Sequence, residues 1–406
     1  MKKNSNIRLS KARIIVYIVV CSIICMIISP AQGANFKKDI SRVNTSENKA
    51  WTTLYYLDCD YDSNNFDPLE GIFIDEIAST EQVNVVVIQD KEQEPAFLYY
   101  IDENHSKIVL EELGEINMGD PQTLSYFIDY GKQNYPADRY LLWAYDHGGG
   151  WKGACMDTTN NDPGLTMDEL QQALTESEGI DVICFFACLM SSLEAVYELR
   201  GLVDVYIGSE DLAWASWWDG ICGDTNQLLT SNPDISNEDV GIEIVNSFQE
   251  QGHPPTDVLT ASAIKADKVE PLVQALDELA KYFIFHWLRS YRNVKTTHDN
   301  TFLLADYQGW AEVFEVYDLK GFIEHLPASS KKTTVLDAFN EAVIHEVHGS
   351  SMEETHGLSI FFPAHISPYE LVQEYKKAGL GLDLPNDTWW NEFLFFFIVT
   401  NTILRR

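Results

Sequence analysis

Long runs of apolar residues, unbroken rather than alternating, constrain the fold of this chain more than any other feature. Trp51–Leu57, Val83–Gln89, Tyr140–Tyr145, Val182–Phe186 and Val205–Gly208 each read as a strand, as do Val258–Ile264 and Leu358–Phe362 further on. Strands apolar on both faces belong in a largely parallel sheet covered on both sides, because a sheet with one wet face alternates apolar and polar residues. Helical patterns fall between the runs. Pro121–Tyr135 carries its proline near the start, Met167–Ser177 follows a capping box of Thr166 and Glu169, and Ser191–Leu202 comes next. The alternation predicts an α/β fold.

After about residue 265 the pattern turns more helical, with Lys268–Phe283, Val335–Val347 and Thr388–Leu404. No clean linker intervenes. The expectation is a core over residues 37–264 and a C-terminal subdomain over 265–406 packed on it, contributing a late strand near 358–362. The greasy run Phe393–Val399 is too short to span a bilayer and reads as a docked terminal helix.

At the other end, Lys2, Lys3, Arg8, Lys11 and Arg13 precede the apolar run Ile14–Ile28 and a stretch of small residues, the pattern of a secretory signal over residues 1–33. An uncleaved anchor is the alternative, and either way the chain is expected outside the cell or at its surface. Export would leave Cys59, Cys155, Cys184, Cys188 and Cys222 where disulfides are permitted; their odd number means at least one thiol stays free or pairs between chains. The 62 acidic against 28 basic residues give a net charge of -34, scattered along the chain, which disfavours nucleic acid and anionic membrane surfaces as partners. Scattered acid reads first as a solvated surface, with calcium binding as the sharper reading.

Two junctions carry the chemistry. LLWAYDHGGGW runs from a strand through His147 into three glycines, and DVICFFACLMSSLE runs from a strand through Cys188. Ligands of open α/β sheets gather at the carboxyl ends of strands, where both residues fall. A thiol held near an imidazole supplies a nucleophile and its acid/base partner, while the Gly148 and Cys188 amides could donate to an oxyanion. A helix beginning just after Cys188 would lower the thiol pKa. The bland alternative is a small core cysteine and a histidine that caps a strand. No third member of a triad is obvious, since Asp146 points to the opposite face if the strand continues. A second constellation, His345, His348 and His356, would put its first pair on one helix face, where it could hold zinc, but lacks the His-Glu-x-x-His spacing of metallopeptidases.

The blocks WTTLYYLDCDYD, VNVVVIQD, EINMGDPQTLSYFIDYGKQNYPADRYLLWAYDHGGGWKG, LTMDELQQAL, DVICFFACLMSSLEAVYEL and HGLSIFFP resemble, in order, the clostripain family of cysteine peptidases, across roughly residues 51 to 363. The resemblance implies a caspase-like fold, related to caspases, legumain and gingipains, and a Cys-His dyad with His147 as general acid/base and Cys188 as nucleophile. It implies peptide or protein substrates, a self-contained and therefore monomeric enzyme, and calcium dependence. The acidic loops around Asp58, Asp60 and Asp62 and around Asp157 and Asp162 offer oxygen ligands, but neither has EF-hand spacing and the site stays unplaced. Thiol-imidazole chemistry itself requires no cofactor.

One departure from the family pattern concerns specificity. Phe186 stands two residues before Cys188, where the family has the aspartate that favours arginine or lysine before the scissile bond. Glu210, Asp211 or Asp219 could restore a negative pocket wall; alternatively Phe186 with Trp214, Trp217 and Trp218 makes an apolar pocket, or the tryptophans are simply packed. Some family members cleave themselves at a basic residue in the loop after the histidine. Here that loop offers only Lys152, so a single-chain enzyme is expected. The alternative from another class is a peptide-binding protein on the same scaffold with weak or no turnover.

Overall fold

The structure, a computed structural model, describes residues 48–60, 67–92, 94–160, 164–214, 218, 220–251, 256–305, 315–364, 375 and 381–404. The leader, Asp62, Asp162, Trp217 and Asp219 lie outside them. In chain order the first half contains β1 (Lys49–Cys59), β2 (Val83–Lys91), β3 (Glu94–Ile101), β4 (Lys107–Gly114), α1 (Pro121–Asn134), β5 (Ala137–Tyr145), α2 (Met167–Glu176), β6 (Ile180–Phe186), α3 (Leu193–Glu198) and β7 (Val203–Gly208). There follow α4 (Ile221–Ser231), α5 (Asn237–Gln251), β8 (Thr260–Lys265), α6 (Val269–Phe285), α7 (Trp287–His298), β9 (Val316–Asp318), α8 (Leu319–His325), α9 (Ser330–Ala342), β10 (Val343–His348), β11 (Ser359–Phe361), α10 (Asp383–Asp387) and α11 (Trp390–Leu404).

Nine strands form one sheet in the order β10-β8-β7-β6-β5-β1-β2-β3-β4. The centre is parallel, from β2 through β1, β5 and β6 to β7, and both flanks are antiparallel. Alternate residues of the central strands feed two separate cores, as pleating requires. Leu54, Tyr56, Leu142, Ala144, Ile183 and Phe185 enter one; Tyr55, Leu57, Leu141, Trp143, Cys184 and Phe186 enter the other. Full burial of such side chains contributes roughly 1.5–3 kcal/mol each, which is why the unbroken runs were legible as strands. The Thr166 capping box forms: Thr166 N–H donates to Glu169 Oε2 at 2.9 Å and Glu169 N–H to Thr166 Oγ1 at 3.3 Å.

Two expected elements change. The helix expected over Val335–Val347 ends at Ala342 and the chain continues as β10, pairing antiparallel with β8 through Val347 and Ala261. The β-branched Val343, Ile344 and Val347 suit that edge, and the tertiary partner overrides helical periodicity. The helix after Cys188 shrinks to Leu193–Glu198. The late strand, β11, pairs with β9 in a separate two-stranded sheet, and its neighbour Phe362 packs on Trp390 with ring centroids 5.2 Å apart.

Candidate active site

Because β5 and β6 are parallel neighbours with Tyr145 opposite Phe186, their chains leave the sheet side by side, one into Asp146 and His147, the other into Ala187 and Cys188. The two exits touch. A Cβ on Gly148 would lie 2.3 Å from the Cys188 carbonyl oxygen and 3.1 Å from its nitrogen, so only glycine fits and the backbone after His147 rests on the cysteine. His147 is exposed and Cys188 half-buried.

The loop after His147 is ordered by its own ladder. Cys155 N–H donates to His147 O at 3.2 Å, Gly149 N–H to Gly153 O at 2.9 Å and Ala154 N–H to Leu165 O at 3.0 Å. The first two bonds bracket the Gly148–Ala154 pair as a non-hydrogen-bonded one, so the Gly148 N–H points away from Ala154. Gly153 has φ 109° and a Cβ there would meet Leu165 O at 1.9 Å. Gly153→Ala is therefore expected to destabilise the protein by about 3 kcal/mol, strain and overpacking together, read as a lowered urea midpoint at unchanged m.

Beyond Cys188, Leu189 takes φ 63°, and the segment then runs beside the exit of β7, with Leu189 N–H on Asp211 O at 3.0 Å and Ser191 N–H on Ser209 O at 2.9 Å. Cys188 Sγ accepts from Ala213 N–H at 3.2 Å and lies 3.5 Å from Ala213 O, where the thiol proton can donate. The helix expected just after Cys188 starts only at Leu193, capped by Ser192, so its positive end is not at the sulfur. Burial pushes the thiol up, the Ala213 N–H opposes, and the Asp211 and Asp146 carboxylates add to the upward push. A neutral thiol at rest follows. Alkylation of Cys188 by iodoacetamide, mapped by mass spectrometry, should be slow at neutral pH and rise past the ordinary thiol value of about 8.5. A rate already at its plateau below pH 7 would instead reveal a preformed thiolate. The other four described cysteines are free but buried and stay silent.

The candidate pocket residues are dispersed. Phe186 is 2 % exposed and packs in the second core, its ring 4.0 Å from Trp218, 4.7 Å from Trp143 and 5.6 Å from Phe73. Glu210 is buried, accepts from Gly357 N–H at 2.9 Å and is pushed up by burial and then by Asp318. Asp211 Oδ1 accepts from Leu212 N–H at 2.5 Å and Ala305 N–H at 3.0 Å, and burial pushes its carboxyl up to about 6. Trp214 is partly exposed, and Asp219 lies outside the described residues.

The three histidines do not converge. His345 and His348 sit on a strand rather than a helix, three residues apart and hence on opposite faces. Each ring has its own partner: His345 Nε2 meets Asn246 Oδ1 at 2.7 Å, His348 Nδ1 meets Glu346 Oε2 at 2.9 Å, and His356 Nδ1 meets Asp318 Oδ1 at 2.8 Å.

Acids converge elsewhere. Asp60 and Asp90 leave the adjacent ends of β1 and β2, Glu115 follows β4, and Asp157 lies in the loop after His147; their carboxylate oxygens lie within 4.8 Å of one another. Asp60 and Asp90 are fully buried, yet Asp60 Oδ1 and Asp90 Oδ2 have no hydrogen-bond partner, nor does Oδ2 of neighbouring Asp58. Burial, then Glu115, Asp157 and Asp60, pushes Asp90 up to about 8. Asp58 is pushed up by burial and next by Asp146, which links the cluster electrostatically to the residue before His147. Orphaned buried carboxylate oxygens are costly alone, and an all-oxygen set of this kind fits a hard divalent cation. The sequence pointed to Asp60 and Asp157; Asp90 and Glu115 were missed, although Asp90 ends an apolar strand run as Asp58 does.

The Clostripain family model matches residues 55–395. Clostripain of Hathewaya histolytica is 25% identical over 414 residues, covering 80% of this chain and 76% of that protein. Among solved structures, a secreted C11 cysteine protease from Bacteroides thetaiotaomicron in complex with an irreversible peptide inhibitor superposes with TM-score 0.60 at 19% identity, covering 78% of this chain and 93% of that one. An inactive zymogen C11 protease from Parabacteroides distasonis gives TM-score 0.64 at 21% identity, covering 85% and 99%. At these identities the two structures establish the shared caspase-like fold.

Proposed function

This chain belongs to the clostripain family of cysteine peptidases, and from that premise we propose that it cleaves peptide bonds with Cys188 as nucleophile and His147 as general acid/base. The observation that supports the reading is the seating of Gly148 on the Cys188 backbone, which brings the chain just after His147 against the cysteine at the ends of neighbouring strands. His147 takes the proton of the Cys188 thiol as sulfur bonds to the scissile carbonyl carbon. The carbonyl electrons move to oxygen, and the Cys188 and Gly148 N–H groups are the donors for that oxyanion. Collapse expels the amine, which leaves with the proton from His147, and a thioester remains. Water, deprotonated by His147, then releases the acid and regenerates the thiol. The raised thiol makes the imidazole indispensable, because little thiolate forms without it.

The residue before the scissile bond is proposed to be uncharged. Phe186 fills the position of a charge-reading aspartate with buried ring, and Glu210 and Asp211 bind backbone amides. A guanidinium or ammonium desolvated there would lack a partner. A positional scan of fluorogenic peptides is expected to give kcat/KM about a hundredfold lower for arginine or lysine than for the best apolar residue. Preference for the basic residues would overturn this pocket while leaving the dyad standing; tight peptide binding with no turnover would return the binding-protein alternative. Self-cleavage after Lys152 is not expected, since Gly153 N–H bonds back to Gly150 O at 3.0 Å and holds the bond in a turn rather than extended.

Asp60, Asp90, Glu115 and Asp157 are proposed to hold a hard divalent cation of the calcium class. When bound it supplies charge compensation. The chain's own contribution is to tie the loop after His147 down, through Thr158 N–H on Asp60 O at 2.7 Å and Met118 N–H on Asp157 Oδ2 at 2.8 Å. Export through the leader and action as a monomer complete the proposal.

A further inference from the structure

Helix α11 has no polar side to turn to water. Trp390, Phe393, Leu394, Phe397 and Ile398 enter the core, but the opposite face carries Phe395, Phe396 and Ile403 at 56%, 42% and 64% exposure, with Glu392 its one charge. A helix apolar all round is normally covered all round. At 15 residues it is about 22 Å long, too short for the ~30 Å of a bilayer core, and no described helix is long and apolar enough to cross a membrane.

The bare face continues onto the junction of α6 and α7. Phe285 is 72% exposed and its ring lies 6.0 Å from that of Trp389; Leu288 is 98% exposed, and next to it the Trp287 ring lies 6.0 Å from Phe396. Trp287 Nε1–H on Thr400 Oγ1 at 3.0 Å and Tyr291 O–H on Asn401 Oδ1 at 2.5 Å bolt the two helices together, so the exposed side chains form one fixed patch. Eight of the twelve large exposed apolar residues among those described lie in the two segments 282–288 and 389–404.

The α6–α7 rim of the patch is locally basic, while Glu392 is the one acid on the α11 side. In a chain of net charge -34, residues 284–298 contain no acid, and exposed Arg289 and Arg292 form no ion pair among the described residues. We propose that this face seats on a phospholipid surface, with Leu288, Phe285, Phe395 and Phe396 at the acyl boundary and Arg289 and Arg292 on lipid phosphates. Charge supports that occupant: Arg289 and Arg292 follow Leu288 with no carboxylate partner among the described residues, and lipid phosphates supply one. The remaining negative charge is screened beyond about 8 Å at physiological salt, so the rim governs the final approach. The inference is independent of the dyad.

The test uses the full chain with vesicles of phosphatidylethanolamine and phosphatidylglycerol doped with a phosphatidylcholine bearing a diazirine in its acyl chain, with adducts mapped by mass spectrometry after illumination. Adducts are expected on peptides covering 282–292 and 395–404, falling by roughly tenfold in the Leu288→Asp, Phe396→Asp double variant while peptide hydrolysis is unchanged. Adducts confined to the first 47 residues would overturn the proposal, as would adducts on the patch that survive the double variant. A wild-type dimer by light scattering that the same variant dissolves would assign the face to a second copy instead. The local mapping separates the patch from any membrane affinity of the leader.

Discussion

Replacing Cys188 with alanine is expected to lower peptide hydrolysis about a thousandfold or more, and His147→Ala to do nearly the same, in a protein whose melting temperature does not fall. Both side chains act on one proton and one bond, so the double variant should be no worse than either single one. The thiol's environment sharpens the expectation for His147. Burial, Asp211 and Asp146 all hold the proton on sulfur, and only the Ala213 N–H opposes them. Without the imidazole, residual activity should therefore climb with pH as hydroxide deprotonates the thiol. Single-turnover kinetics on the preferred fluorogenic peptide give the answer. Activity surviving Cys188→Ala would remove the sulfur from the mechanism, and a His147→Ala enzyme with unchanged rate and pH profile would remove the imidazole.

Calcium at about a hundredfold above its dissociation constant should stabilise the protein by about 2.7 kcal/mol, a rise of roughly 3 °C in melting temperature for a chain of this size. The gain should vanish in Asp157→Asn and Asp90→Asn. In the presence of chelator Asp90→Asn should melt higher than wild type at neutral pH, because wild-type Asp90, pushed up to about 8, has to take up a proton on folding beside Asp60, Glu115 and Asp157, and the amide does not. Magnesium should stabilise less, since four clustered carboxylates leave little room for the waters it retains. Scanning calorimetry and terbium luminescence read all of this without reference to catalysis. A calcium shift that persists in both variants would place the cation elsewhere, and no shift at all would leave the cluster as buried acid.

Those two experiments also mark what could be read from the chain alone. The central strands were legible because Leu54, Val86, Leu142 and Ile183 sit in runs apolar on both faces, which only a doubly covered sheet satisfies. The hairpin of β3 and β4 was missed, since Glu111 and Glu112 break its apolar pattern at an exposed edge. The strand β10 was hidden at the end of a helical period, for its partner β8 lies some eighty residues away. His147 and Cys188 stood out because strand ends collect chemistry. The thiol's pKa direction was misjudged because it hung on where a helix begins, and a few residues of extended chain reverse it. Half the acidic cluster needed strand order, which no local pattern contains: Asp90 meets Asp60 only because β2 lies beside β1.

The contact of Gly148 with the Cys188 carbonyl also limits what tolerance to substitution can teach about this site. A saturation library would return Gly148 as forbidden to every other residue, with a penalty as deep as that at Cys188 itself. The causes differ: one position is barred by a carbonyl oxygen 2.3 Å from where its first side-chain atom would sit, the other by loss of the sulfur. Selection acting on both would keep them equally invariant over time. Invariance at this spot thus records shared space as faithfully as shared chemistry, and only kinetics on a folded variant tells them apart.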